Sequence, residues 1–361
     1  MLRVHGLTKT YPGGVVGLRP TDLTVARGER VVLLGPSGSG KSTLLRLIQG
    51  LESADGGEVW VDDVRVDALP PHRRGVALLP QRVALYPHLT VGQNLEAVAS
   101  GGRPPAVPSQ QRGGARRSPA GTVNLTPLLA RYPHQLSGGE RQRVAVAKLL
   151  RLTRPVWLLD EPFSGLDPMF RSEFRHDLLL FAASAGATIL LVTHDPIDAL
   201  AIGQRIGVLA DGILRQVGTP DELRSTPGHR FVAFCVGSHS LLDGAVQVAG
   251  DGDPVFVAEG GSVRVPVPPF ASRRTELTLG LRPDDLVHRS PGGPTCGTIT
   301  GWPLVSAEPD GSGWLLTVAR GRTRVRVEWR SGTPPPVGTL TDWTIPAARG
   351  TWFDRATGER L

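Results

Sequence analysis

The sequence predicts an α/β domain with a mainly parallel sheet covered on both faces, followed by a small β-barrel domain. Two observations carry this reading. Up to residue 235, short apolar runs rich in Val, Leu and Ile alternate with helical patterns. From residue 236 onward, short alternating runs lie between Gly/Pro turns and helical periodicity almost disappears. The first pattern is that of strands joined by crossover helices, and the second that of antiparallel strands joined by tight turns. A length of 361 residues suits two such domains, over 1–235 and 236–361.

The predicted strands of the first domain are Val31–Leu34, Val76–Leu79, Val156–Leu159, Thr188–Val192 and Ile206–Leu209. Helical stretches fall between them at Ser42–Gln49, Glu140–Leu152 and Met169–Ala183. In the second domain Leu315–Val318 and Thr323–Glu328 alternate as half-buried strands do. Ser100–Gly121 is different. It is rich in Gly, Pro, Arg and Gln, and Pro104, Pro105, Pro108 and Pro119 oppose a helix, so it reads as a basic loop.

Composition narrows the function classes. Hydrophobic residues make up 40% and charged residues 20%, which suits a globular core. No apolar run reaches 18 residues. The longest candidate, Leu178–Val192, is interrupted by Ser184, Gly186 and Thr188. The N-terminal MLRVHGLTKTYPGG lacks a signal-peptide core. The expectation is a cytosolic chain that meets a membrane only through a partner. Cys235 and Cys296 fit neither a metal spacing nor a disulfide framework. The net charge of +7 comes from arginines spread along the chain, which argues against nucleic acid as a partner. One cluster stands out: Ala97–Gly139 has no acidic residue and contains Arg103, Arg112, Arg116, Arg117 and Arg131.

The first chemical motif is Gly35-Pro36-Ser37-Gly38-Ser39-Gly40-Lys41-Ser42, followed by Thr43. A strand precedes it and a helix follows, the context of a phosphate-binding loop. Glycines let the backbone curl so that its N–H groups converge on phosphate oxygens, and the helix N-terminus adds its positive end. Lys41 reaches the terminal phosphates, and Ser42 offers a hydroxyl to Mg²⁺. The second motif is Val156-Trp157-Leu158-Leu159-Asp160-Glu161-Pro162. Its carboxylates emerge at the end of a buried strand, the edge where open α/β sheets take ligands. Asp160 suits a metal contact, and Glu161 the orienting or deprotonation of an attacking water. Read alone, these acids equally suit a helix cap. Together with the phosphate loop they indicate a P-loop nucleoside triphosphatase.

The third motif is Leu136-Ser137-Gly138-Gly139-Glu140-Arg141-Gln142-Arg143, a second helix N-terminus ready for phosphate. One nucleotide does not need two such turns from one chain unless the second serves a neighbour's site. This octet resembles the signature of the ABC ATPases, where that arrangement is known. The resemblance implies an ABC nucleotide-binding domain with a helical insertion, here over about 85–150. It also implies ATP and Mg²⁺ as cofactors and a head-to-tail homodimer, with Ser137, Gly138, Gly139 and Glu140 facing the partner's nucleotide. By the same resemblance Tyr11 stacks on adenine, with an ordinary half-buried tyrosine as the alternative. Gln81 contacts Mg²⁺ and the water, and Asp167, in Ser164-Gly165-Leu166-Asp167, crosses the dimer interface. His194, in Val192-Thr193-His194-Asp195, contacts the γ-phosphate. Asp198 stands where the family has Glu and is expected to keep an acidic contact.

The stretch Ala84–Val91, together with Leu279–Leu286 and Trp352–Leu361, is similar to importers of sugars, polyols and glycerol phosphate, whose ATPases carry a C-terminal OB-like (TOBE) domain. That implies transmembrane permease subunits, an extracytoplasmic solute-binding protein and a place on the cytoplasmic face of the membrane. Importers of ferric iron, sulfate, polyamine or thiamine share most of these features, and a soluble non-transport ABC ATPase shares the three motifs.

Overall fold

The computed structural model describes residues 1–81, 84–99, 125–152, 154–237, 239–250, 252–288, 297–311, 313–346 and 349–361. The basic stretch Ser100–Gly121 and Cys296 lie outside the described residues. Two compact units result, Met1–Pro220 and Asp221–Leu361.

The first unit contains two sheets. The smaller is antiparallel, in the order β2-β1-β4-β5, from β1 (Leu2–Tyr11), β2 (Val15–Val25), β4 (Gly56–Val61) and β5 (Val64–Arg65). Leu2, Val4 and Leu7 of β1 pack into the core of this unit. The larger sheet has the order β10-β9-β3-β8-β7-β6. Its strands are β3 (Arg30–Leu34), β6 (Val76–Leu79), β7 (Val156–Asp160), β8 (Thr188–Thr193), β9 (Arg205–Ala210) and β10 (Ile213–Gly218). Its pairs are parallel except β9 with β10. All six residues of β8 are buried. A strand covered on both faces has no polar side to alternate with, which is why it reads as a continuous apolar run.

Helices connect these strands: α1 (Lys41–Gln49), α2 (Val91–Ala99), α3 (Gly138–Leu152), α4 (Pro168–Ala185) and α5 (Pro196–Ile202). Asp167 and Asp195 cap α4 and α5 through Phe170 N and Ile197 N, each followed by a proline at the first helical position. Among the described residues no helix is long and apolar enough to cross a membrane.

The second unit opens, from Asp221, with the short helix α6 (Pro220–Ser225), followed by α7 (Arg230–Cys235). The sequence pattern changes at 236, and the compact units divide between Pro220 and Asp221. One long-range bond within the second unit is invisible to local pattern. Arg230 N donates to Gly358 O at 2.8 Å, tying α7 to the C-terminus. Cys235 is half-buried and outside any disulfide.

An antiparallel half-barrel follows. It comprises β11 (Ser240–Val248), β12 (Pro254–Ala258), β13 (Val263–Pro266), β14 (Glu276–Leu281), β15 (Val287–His288), β16 (Gly297–Asp310), β17 (Gly313–Arg320), β18 (Thr323–Trp329), β19 (Leu340–Ile345) and β20 (Thr351–Asp354). The order is β15-β19-β16-β13-β12-β11-β14-β20, with β17 and β18 branching from β16. The branch occurs along β16, whose first half pairs with β19 and second half with β17. The register slips between Ile299 and Trp302, where Gly301 takes φ 69° and bends the strand. Trp302, Trp343, Phe256 and Phe353 fill the core of this unit.

Candidate active site

The phosphate-binding loop spans the gap between β3 and α1. Gly38 and Gly40 take φ 80° and 103°, conformations that only glycine adopts without strain. Neighbours exclude a side chain as well. A Cβ on Gly35 would lie 2.1 Å from Leu209 O, and one on Gly40 2.4 Å from Gly17 O. No side chain caps the start of α1, so its first N–H groups remain available to an anion. Lys41 Nζ folds back over the loop and donates to the carbonyls of Gly35 (2.8 Å) and Pro36 (2.7 Å).

Ser42 Oγ donates to Asp160 Oδ1 at 3.0 Å. Burial pushes the Asp160 carboxyl above the usual carboxylate range, the Ser42 bond opposes this, and the neighbouring Glu161 charge adds to it. Glu161 follows in a left-handed conformation, φ 46°, which is strained for a residue with a side chain. Its backbone N–H donates to Val192 O (3.0 Å). One carboxylate oxygen lies 3.0 Å from His194 Nδ1, and the other accepts from Gln81 Nε2 at 3.3 Å.

Sheet order explains the meeting. β6, β7, β8 and β3 are consecutive neighbours, so Gln81, Asp160–Glu161, His194 and the loop all leave the sheet at the same parallel edge. Such an edge, with a carboxylate between an amide and an imidazole beside a phosphate loop, can hold a water next to a bound phosphate.

The Ser137–Glu140 turn opens α3. Ser137 and Glu140 form a reciprocal capping box at the start of α3. Ser137 N donates to Glu140 Oε2 (2.7 Å), and Glu140 N to Ser137 Oγ (3.2 Å). That backbone bond holds the Glu140 carboxyl below its ordinary value. Arg131 Nη1 also donates to Glu140 Oε1 at 3.4 Å. Tyr11 ends β1 with its ring against Gly17, where a Cβ would lie 2.5 Å from it. Its hydroxyl donates to Glu52 (2.7 Å) and lies 3.1 Å from Thr43 Oγ1. Asp167 accepts from Phe170 N as the cap of α4.

Sequence reasoning missed two groups. Arg171 bonds both Asp195 (2.7 Å) and the buried Asp198, joined there by Arg175 (3.3 Å), and so braces the segment after His194. Asp198 thus has the acidic contact expected of it. Gln142 is buried on α3, and its Nε2 donates to Pro162 O at 2.9 Å. A signal was present: Gln142 stands on the stripe of Ala145, Val146 and Leu149, a polar residue on an apolar helix face.

Comparison with known proteins agrees with these features. Residues 18–164 match the family model described as "ABC transporter". A "sn-glycerol-3-phosphate import ATP-binding protein UgpC" from Yersinia enterocolitica is 35% identical over 362 residues, covering 100% of this chain and 99% of that protein. The protein of the same name from Yersinia pseudotuberculosis is 39% identical over 366 residues with the same coverage. Among solved structures, the "Dimeric structure of a post-hydrolysis state of the ATP-binding cassette MJ0796 bound to ADP and Pi" shares 31% identity at a TM-score of 0.53. It covers 61% of this chain and 98% of its own. Phosphate loop, carboxylate pair and full-length likeness converge: the chain belongs to the ABC transporter ATP-binding proteins and is the ATPase subunit of an importer.

Proposed function

We propose that this chain energises uptake of a glycerol-phosphate-type solute, within the wider class of sugars, polyols and their phosphates. It acts as a homodimer at the cytoplasmic face of the membrane, bound to separate permease subunits that receive solute from an extracytoplasmic binding protein. The full-length likeness to proteins named for sn-glycerol-3-phosphate import supports the solute class. Dimerisation of the solved cassette supports the homodimer.

The observation that carries the chemistry is Glu161 held between Gln81 and His194 beside the phosphate loop. Lys41 exchanges the carbonyls of Gly35 and Pro36 for the terminal phosphates of ATP. Glu161 orients the attacking water and takes its proton, and His194 contacts the γ-phosphate. Tyr11 stacks on the adenine, and Gly35 through Thr43 wrap the phosphates. The Ser137–Glu140 turn of one protomer completes the nucleotide site of the other, with Asp167 beside it. The γ-phosphate then gathers donors from both subunits, and its loss on hydrolysis lets them part.

The Ser42 hydroxyl and the Asp160 carboxylate, 3.0 Å apart, are hard oxygen donors of the kind Mg²⁺ prefers, with Gln81 as a third. No group of three or more His, Cys, Asp or Glu residues able to hold a metal occurs among the described residues. This suits an ion that completes its shell with phosphate and water rather than one caged by protein. When bound, Mg²⁺ would neutralise charge on the phosphate oxygens.

The test is ATP-driven uptake of labelled sn-glycerol-3-phosphate by vesicles carrying the full transporter. Glu161→Gln is expected to bind ATP and dimerise while hydrolysis and uptake fall on the order of a hundredfold or more. Turnover near wild type removes Glu161 from its role. Wild-type hydrolysis without glycerol-phosphate uptake removes the solute assignment.

A further inference from the structure

Glu161 is held in its strained conformation by the hydrogen bonds around it. Its N–H donates to Val192 O, and Ser164 N closes the following turn onto Glu161 O at 3.1 Å. The bond from Gln142 Nε2 to Pro162 O, at 2.9 Å, comes from α3, the helix that opens with the Ser137–Gly139 turn. Strained backbone persists only where its surroundings over-determine it, so each such bond bears on where the Glu161 carboxylate points.

Gln142 is 5% exposed, and its Oε1 has no hydrogen-bond partner among the described residues. The amide cannot turn over to relieve this, because its oxygen would then face the Pro162 carbonyl. A buried, half-satisfied amide on an apolar stripe costs stability relative to an apolar residue of the same size. Packing therefore does not account for an amide at this position, but the bond to Pro162 does.

We propose that Gln142 is a positioning residue for hydrolysis, which holds the Glu161–Pro162 turn and ties it to the Ser137–Gly139 turn one helical turn away. The assignment rests on the role proposed above for Glu161. In the homodimer, this hydrogen bond joins the segment that completes the partner's site to the turn carrying the carboxylate that serves the chain's own site. Each site thereby senses whether the other is closed.

Gln142→Met in the full chain tests this, because it removes both the donor and the orphaned oxygen at nearly constant volume. The expected result is a thermal midpoint unchanged or raised, KM for ATP within about twofold of wild type, and kcat lower by about five- to tenfold. A wild-type kcat overturns the proposal. So does a kcat loss that only tracks a lowered midpoint, with normal activity per folded molecule. If Gln142→Met does not fold, Gln142→Asn, which withdraws the amide by one methylene, decides the same point by the same split of kcat from KM. An active Glu161→Gln refutes the Glu161 reading. An inactive Glu161→Gln alongside a fully active Gln142→Met refutes the Gln142 assignment alone.

Discussion

The two regions of the first unit proposed to face phosphate are built on opposite plans. Around Glu161, side chains from the ends of separate strands converge, and the partners Gln81 and His194 lie 80 and 33 residues away in sequence. The Ser137–Glu140 turn is contiguous, capped by its own residues and finished by one helix start. The first thus depends on the order of the whole sheet, while the second depends on residues within a few positions and on the helix it opens. One region is wired across the sheet, and the other is a local cap at a helix start.

The largest test of this contrast is at the wired region. Asp160→Asn is expected to lower hydrolysis by about a hundredfold or more, yet to raise thermal stability at pH 7. The sign follows from burial. The folded protein holds this carboxyl above its unfolded value, so keeping it ionised at neutral pH opposes folding. That penalty is absent below the unfolded pKa and fully present above the folded one. Thermal melts from pH 4 to 8 are therefore expected to separate wild type and variant more as pH rises, and identical curves refute the account.

A smaller effect is expected where the cap meets the core. A Cβ on Gly139 would lie 2.2 Å from the Phe170 ring, which stacks on Phe174 and lies 4.7 Å beneath the Arg143 guanidinium. With the ring held on both sides, Gly139→Ala is expected to cost about 1–3 kcal/mol in chemical unfolding. It is also expected to reduce ATP-dependent dimerisation while leaving nucleotide binding to the monomer unchanged. Loss of monomer binding instead would erase the distinction between the two regions.

The smallest effect is at the capping box itself. Ser137→Ala is expected to cost about 1 kcal/mol. The Glu140 carboxyl, held below its ordinary value chiefly by the Ser137 N–H, adds stability at neutral pH that is lost as pH falls through its folded value. A Ser137→Ala variant as stable as wild type by urea unfolding would mean that partner contacts, not local capping, shape the turn.

How far each region was legible follows from the same contrast. The phosphate loop, the strand ending in Asp160 and the Ser137 turn were readable because each is a short run whose glycines, apolar residues or capping pair act on near neighbours. The strands of the larger sheet were readable for a similar reason, since burial on both faces leaves a continuous apolar run. The antiparallel sheet of β1, β2, β4 and β5 was not read, because its strands carry polar positions and its register shifts break the alternation. Gln142 and Arg171 were missed because their partners, Pro162 and Asp195, lie 20 and 24 residues distant.

From the sequence by itself one learns the chemistry available: a lysine and a hydroxyl behind a glycine loop, two carboxylates at a strand end, and a helix that opens with a Ser-Gly-Gly turn. Those properties depend on residues within a few positions of one another, where sterics and backbone hydrogen bonding act directly. Only the tertiary structure decided that Gln81, Glu161 and His194 meet, that a buried amide bonds the turn after Glu161, and that α7 is tied to the C-terminus. Strand order and long-range packing set those distances, and they arise from how buried faces fit together, which no local stretch of sequence contains.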